Sequence, residues 1–243
     1  QKSFVKDVIE IGNCIPVGSI TFDLSGILKP QKLILEVSVV NTAIKNRWDL
    51  WVYPREDETD PGKVLVTGKL DSRCMEELRK GGSVLLMTYG KVAKSKGADV
   101  AIGFSSIFWN TAWTNNQAPH TLGILCNPEH PLFRLFPTES HSNWQWWDPV
   151  THSQAMIING FPAGLKPLVQ PIDTWFENRR LALIFEAKAD NGKLIVCSID
   201  MNNLNDDRPA SKQLLRSILS YMNSDSFNPV TIIDLSQVRT LLE

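Results

Sequence analysis

K-V-L-V-T-G-K-L-D-S-R-C-M-E-E-L-R-K-G-G-S-V-L-L-M-T-Y (63–89) is the stretch on which the fold turns. Residues 63–70 read as a short apolar strand. Residues 71–82 open on Asp71 or Ser72, carry Glu in the body and Arg79-Lys80 at the end, and close on Gly81-Gly82. Those are the start and stop signals of a helix. Residues 83–89 are a second apolar run of strand length. Strand, helix and strand on short connections make a βαβ unit, whose crossover returns the chain in its original direction and so implies parallel strands. The expected fold class is α/β, a three-layer domain built on a parallel sheet.

The pattern continues downstream. L-V-Q-P-I-D (168–173) reads as a strand, and L-A-L-I-F-E-A-K (181–188) and K-L-I-V-C-S-I-D (193–200) flank the turn D-N-G (190–192) as a β-hairpin. R-P-A-S-K-Q-L-L-R-S-I-L-S-Y-M (208–222) is the clearest helix, with Pro209 in its first turn and Leu214, Leu215, Ile218, Leu219 and Met222 on one face. Helices are also expected near 119–126 and 130–136 and over 151–160, and T-I-I-D-L (231–235) suggests a short strand.

Upstream, no helical period appears. G-S-I-T-F-D-L (18–24), L-I-L-E-V-S-V-V (33–40) and R-W-D-L-W-V-Y-P (47–54) are strand-like. Residues 1–55 are expected to form an all-β sandwich segment, jelly-roll or Ig-like, that needs a partner sheet. R-E-D-E-T-D-P-G (55–62) is charged, lacks apolar residues and ends in Pro-Gly, so 56–62 reads as a linker. Residues 63–243 then form the α/β domain, with an aromatic-rich excursion over 104–165. With Gln1 and no initiator Met at its start, the chain reads as a piece of a longer protein.

Composition narrows the function. The 243 residues carry 25 Lys+Arg and 26 Asp+Glu, without the basic face that nucleic acid requires, so no nucleic-acid partner is expected. The longest apolar runs, such as 181–185, are far short of the roughly 20 residues of a membrane helix, so no membrane span is expected. Cys14, Cys74, Cys126 and Cys197 form no C-x-x-C pair and read as free thiols. No nucleophile elbow, G-x-G-x-x-G or Walker-type loop occurs, and His120, His130, His141 and His152 lack the spacing of metal ligands. No metal or other cofactor is therefore expected. Glu139, Asp148, Asp173, Glu177 and Glu186 are candidates for an acid–base pair, but each is more often a cap or ion-pair partner.

The aromatics carry the remaining signal. Trp109, Trp113, Trp144, Trp146 and Trp147, with Phe104 and Phe108, are interleaved with Asn110, Asn115, Asn116, Gln117, Asn143 and Gln145. Flat rings take the apolar C–H faces of sugars and amides take their hydroxyls. The candidate carbohydrate-binding residues are Trp109, Trp113, His141, Asn143, Trp144, Trp146 and Trp147. The competing reading buries the rings as packing. In S-H-S-N-W-Q-W-W-D-P (140–149), an extended backbone would point Trp144 and Trp146 one way and Gln145 and Trp147 the other.

N-R-W-D-L-W-V-Y-P (46–54) resembles the end of a β-sandwich domain late in large glycoside hydrolase family 2 proteins of the β-galactosidase type. F-W-N-T-A-W-T-N-N-Q-A-P-H-T-L-G-I-L-C-N-P-E-H-P-L-F (108–133), P-T-E-S-H-S-N-W-Q-W-W (137–147) and the segments 170–188 and 207–222 resemble the C-terminal region of the same proteins. Leu78, Gly81, Gly82, Val84, Leu85 and Leu86, as L-x-x-G-G-x-V-L-L, are similar to the sheet core of flavodoxin-like, class I glutamine-amidotransferase-like domains, but the cysteine elbow is missing. The resemblance thus implies a fold without the amidotransferase activity. It places the catalytic carboxylates in an upstream (β/α)-barrel of roughly 250 residues, for which this chain has no room. No catalytic residue carries over. The implied partners are that barrel domain and an oligosaccharide, and the implied location is secreted or periplasmic. The chain is expected to be a noncatalytic accessory C-terminal region of a carbohydrate-degrading glycoside hydrolase. The alternatives are a stand-alone carbohydrate-binding module and a small α/β hydrolase using carboxylates of the aromatic region.

Overall fold

A computed structural model describes residues 2–6, 8, 11–12, 14–55, 59–105, 116, 118–202, 204 and 207–243. Strands β1 (Gln31–Ser38) and β2 (Lys45–Val52) pair antiparallel, from Gln31 opposite Val52 to Ser38 opposite Lys45. Opposed residues share a face. Leu33, Leu35, Trp48, Leu50 and Val52 therefore line one side of this ribbon, and Lys32, Asp49 and Trp51 the other. Among the described residues, the segment expected as a sandwich piece shows this one ribbon. The two strands make a sheet of two only, and residues 18–24 join no ladder among the described residues. Alternation marks a half-buried surface, but a strand also needs a hydrogen-bonded neighbour.

The βαβ unit is present as β3 (Val64–Thr67), α1 (Ser72–Arg79) and β4 (Ser83–Met87), with β3 and β4 parallel. The Asp71 carboxylate accepts from the Cys74 N–H at 3.0 Å, capping α1. At the other end Gly81 N donates to Leu78 O (3.0 Å) and Gly82 N to Glu77 O (2.9 Å), a paired closure that satisfies the last carbonyls. Cys74 and Leu78 are buried against the sheet, in one cluster with Val84 and Leu86.

The chain continues through β5 (Ile124–Cys126), α2 (Trp147–Thr151), β6 (Met156–Ile157), β7 (Val169–Pro171), β8 (Leu181–Ala182), β9 (Ile184–Ala189), β10 (Gly192–Cys197), α3 (Pro209–Met222) and α4 (Leu235–Leu242). The main sheet has six strands in the order β3-β4-β10-β9-β7-β5, and β6 and β8 form a small antiparallel pair. This overturns the expected three-layer parallel-sheet α/β class. Only β3, β4 and β10 run parallel; β9, β7 and β5 alternate direction, so the sheet is mixed. The physical reason lies in the connections. A parallel neighbour needs a crossover of a dozen or more residues, usually helical. Asp190 and Asn191 alone join β9 to β10, which allows only a hairpin. Between β5 and β7 the chain forms only single 3-10 turns, the five-residue α2 and the two-residue β6.

Three local expectations also change. Residues 124–126 are a strand, because short apolar runs do not distinguish the two states and Gly123, with φ +85°, breaks any helix there. Residues 131–135 form a 3-10 turn, and the segment 151–160 leaves the helix at Thr151 and enters β6. Near the C-terminus Ile232 makes one parallel bridge to Lys188, and the next segment is α4, whose capping box Asp234–Gln237 was not anticipated.

The sheet is buried on both sides. Leu85, Ile195 and Cys197 face Leu214, Ile218, Leu219 and Met222 of α3, the apolar face expected from sequence. Val84, Leu86, Leu194 and Val196 face α1 and α4. Gly192 opens β10 where α1 crosses it. A Cβ there would lie 2.8 Å from Leu78 Cα and 2.7 Å from Gly82 O, both backbone atoms that cannot rotate away. Gly192→Ala is expected to lower the unfolding free energy by about 1–3 kcal/mol in a urea titration. Gly160→Ala, where nothing lies within 4 Å, is expected to stay within about 0.5 kcal/mol of the parent.

Candidate functional site

Strand β5 ends the sheet, and two further segments lie along it. Cys126 N donates to Ser140 O (3.0 Å) and Leu125 bridges His141. Gly123 N donates to Gly103 O (3.1 Å), and Ser142 Oγ donates to Phe104 O (2.9 Å). These bonds bring Phe104 beside the turn that follows Asn143. That turn, Trp144–Trp146, is 3-10 and runs directly into α2 at Trp147. In a 3-10 turn residues i and i+3 fall on the same side. Trp144 and Trp147 accordingly share the open side, 69% and 50% exposed, while Gln145 and Trp146 are buried. The extended alternation expected for W-Q-W is overturned by this change of period.

The buried residues anchor the exposed ones. Trp146 is fully buried, with Nε1 donating to Thr138 Oγ1 (2.7 Å) and its ring edge-on to Phe136 at 5.0 Å and Phe133 at 6.1 Å. Gln145 donates from Nε2 to Pro137 O (2.8 Å) and accepts from the Tyr53 hydroxyl (2.8 Å). On the open side Phe104 stacks on Trp144 (5.5 Å, 26°) and meets Trp147 edge-on (5.2 Å), and the two indoles lie 6.1 Å apart.

A polar rim adjoins the rings. Glu139 accepts from Asn143 Nδ2 and pairs with Lys32 Nζ at 2.6 Å, and Lys32 also meets Asp49 at 3.1 Å. Burial pushes the Glu139 carboxyl up, but Lys32 and Asn143 outweigh it and hold the group below its ordinary range. Asn143 Oδ1 is buried with no hydrogen-bond partner among the described residues. His141 is exposed and held by its backbone bridge. Of the expected sugar contacts, Asn143, Trp144 and Trp147 are brought together beside His141, and Trp146 is turned inward. Trp109 and Trp113 lie outside the described residues.

Next to Trp147 opens a cleft of about 380 Å³, lined by Ile102, Gly103, Phe104, Ser105, His120 and Trp147 among others. Sequence reasoning missed His120. Its only signal is local: Pro119 before it, and Thr121, fully buried, after it. His120 Nδ1 lies 2.7 Å from Thr121 O.

Among the described residues, the acid–base candidates Asp148, Glu186 and Asp173 are engaged separately, and Glu177 is not. Asp148 accepts from Arg208 Nε (2.9 Å) and Ser211 Oγ and lies 2.9 Å from His152 Nδ1, and Arg208 also bonds Asp200. Glu186 accepts from the Tyr221 hydroxyl (2.7 Å) and is pushed up by burial. Glu177 is exposed. Asp173 accepts from Arg179 Nε (2.8 Å), Arg179 Nη2 (3.0 Å) and the backbone N–H groups of Arg179 (2.7 Å) and Thr174 (2.8 Å). This clamp closes the loop that presents Trp175 and Phe176 to solvent. Cys14, Cys74, Cys126 and Cys197 are free thiols, and burial pushes Cys126 up to about 12. Among the described residues no three His, Cys, Asp or Glu side chains converge as a metal site, and no helix is long and apolar enough to cross a membrane.

Residues 65–243 match the family profile described as Domain of unknown function (DUF8487), and residues 1–54 match that of Domain of unknown function (DUF8488). No curated protein matches the chain.

Trp146→Ala is expected to cost about 3–5 kcal/mol in chemical unfolding, and Trp144→Ala less than about 0.5 kcal/mol. Asp173 supplies a pH test. Burial works against its carboxylate, but Arg179 and the two backbone donors hold its pKa below the ordinary value. A depressed folded pKa stabilises fully above the unfolded carboxylate value, about 4, and the contribution fades as pH falls through the folded value. Asp173→Asn is expected to cost about 2 kcal/mol at pH 7. That difference should shrink steadily below about pH 4 in urea titrations on both proteins.

Proposed function

This chain belongs to the DUF8487 family, and we propose that it is a noncatalytic, carbohydrate-contacting accessory region of a secreted or periplasmic carbohydrate-degrading enzyme of the glycoside hydrolase family 2 type. The observation that carries the reading is the pair of open indoles, Trp144 and Trp147, braced by Phe104 and fixed from below by Trp146. Rings held rigidly at a surface lose little entropy on meeting a sugar face. The carboxylate of Glu139 and the exposed His141 supply polar groups at the rim.

A second feature supports packing against a catalytic domain. The ribbon β1–β2 turns its Lys32 and Tyr53 side toward Glu139 and Gln145. Its opposite side keeps Val37, Trp48 and Leu50 exposed. An apolar patch of that kind marks an interaction surface. The barrel implied by the sequence resemblance is its proposed partner. The absence of catalysis in this chain is supported by the separate engagement of Glu139, Asp148, Asp173 and Glu186, each with its own cation or hydroxyl.

Calorimetry with galactose- and glucose-containing oligosaccharides tests the reading. The parent chain should bind, and Trp144→Ala and Trp147→Ala should each weaken binding by roughly fivefold, the worth of one aromatic contact of about 1 kcal/mol. Absence of heat with every oligosaccharide would overturn the sugar contact. Release of chromophore from a chromogenic β-galactoside by the purified chain would overturn the noncatalytic assignment.

A further inference from the structure

The cleft between residues 101–105 and Trp147 combines an aromatic wall and one oriented imidazole, with no Asp, Glu, Lys or Arg among its described lining residues. Its described lining is Ala101, Ile102, Gly103, Phe104, Ser105, Ala118, His120 and Trp147. A carbonyl oxygen can only accept a hydrogen bond, so the 2.7 Å contact with Thr121 O requires the proton on His120 Nδ1. In the neutral ring that leaves Nε2 as an acceptor, and among the described residues no group bonds to it. The ring is held in place by a close backbone approach. A Cβ on Gly103 would lie 2.1 Å from His120 Nδ1 and 2.2 Å from Thr121 O, so only glycine lets the imidazole sit there.

We infer that this cleft is a subsite for one neutral hexopyranose ring, with an apolar C–H face against the Trp147 indole and a hydroxyl donating to His120 Nε2. The inference rests on the carbohydrate-contacting reading and gives it a substrate class and a polar specificity residue. The volume, about 380 Å³, falls at the small end of ligand sites, suited to a single ring rather than a long chain segment. Among the described lining residues there is no Lys or Arg, which favours a neutral sugar over a uronate or sulfated one, because an anion would lose hydration there without a counter-charge. Trp144, 6.1 Å from Trp147 and outside the described cleft lining, would meet the neighbouring ring of an oligosaccharide.

The test uses the whole chain with methyl β-D-galactopyranoside, methyl β-D-glucopyranoside and glucuronate as probes, followed by tryptophan fluorescence and saturation-transfer NMR. The neutral glycosides should bind and glucuronate should not. His120→Phe keeps the ring volume but removes the acceptor, and should weaken binding by about fivefold to tenfold. His120→Gln, which restores an acceptor, should recover most of that loss. Gly103→Ala should weaken binding by displacing the imidazole, with circular dichroism confirming that the fold is retained. Unchanged affinity in His120→Phe, alongside weakened binding in Trp144→Ala, sinks the subsite and leaves the sugar-contact reading standing. If no glycoside or oligosaccharide binds the parent chain, both fall. Saturation by indole in place of any glycoside would reassign the cleft to an apolar side chain of a partner protein.

Discussion

Strand β10 is where the two halves of the sheet meet, and its burial constrains everything around it. It pairs parallel with β4 and antiparallel with β9, and Leu194 to Cys197 are fully buried. Its alternate side chains enter the two cores: Ile195 and Cys197 join the α3 side, Leu194 and Val196 the α1 and α4 side. Gly192 lets α1 cross its start at backbone contact. The change of direction at β10 shapes the rest of the fold. Beyond β9 the strands alternate, so no helical crossover is needed, and neighbouring strands begin and end at common edges of the sheet. The chain can therefore leave at Cys126 and return at Val169 on one edge, with the intervening residues free to build something other than sheet.

What they build is set by a change of backbone period. Asn143 is extended, and the next three residues form a 3-10 turn. Three residues per turn places Trp144 above Trp147 and drives Gln145 and Trp146 inward. The inward pair then finds partners that an apolar pocket alone would not supply: Thr138 for the indole N–H, Pro137 and Tyr53 for the amide. Through Tyr53, and through Lys32 on Glu139, the ribbon β1–β2 is tied to the same turn that presents the two open rings. The ribbon's polar side meets this region and its apolar side points away, the reverse of a ribbon that supports a core of its own.

Local chemistry was legible in the sequence where a residue type answers a local need. Asp71 caps α1, Pro209 opens α3, and Asp190-Asn191-Gly192 turns the β9–β10 hairpin, and each could be read without knowing the fold. Strand direction could not. A fully buried run such as Leu194–Cys197 looks alike whether its neighbours are parallel or antiparallel, because both faces are apolar in either case. The parallel arrangement of the βαβ unit at 63–89 stops at β10, where the β9–β10 hairpin, legible at 190–192, reverses the chain. The aromatic run was found by composition, but its geometry depended on a backbone period that W-Q-W does not specify. The place of His120 is not legible locally, because it depends on Gly103, seventeen residues away, whose missing Cβ admits the ring.

The open rings and the engaged carboxylates make one physical argument. Glu139, Asp148 and Asp173 each sit against a cation, and Glu186 against a hydroxyl, so each is engaged within the fold by a partner of its own. Acid–base chemistry needs a group that can exchange its proton with substrate, and Arg179 with two backbone donors holds the Asp173 carboxyl below its ordinary range. The indole faces of Trp144 and Trp147 are the opposite case, large apolar surfaces whose contacts on one side are complete and on the other await a flat partner. Binding energy drawn from such surfaces is uniform across a reaction, raising affinity without favouring a transition state. Under the proposed accessory role, a region built this way would hold sugar rather than transform it.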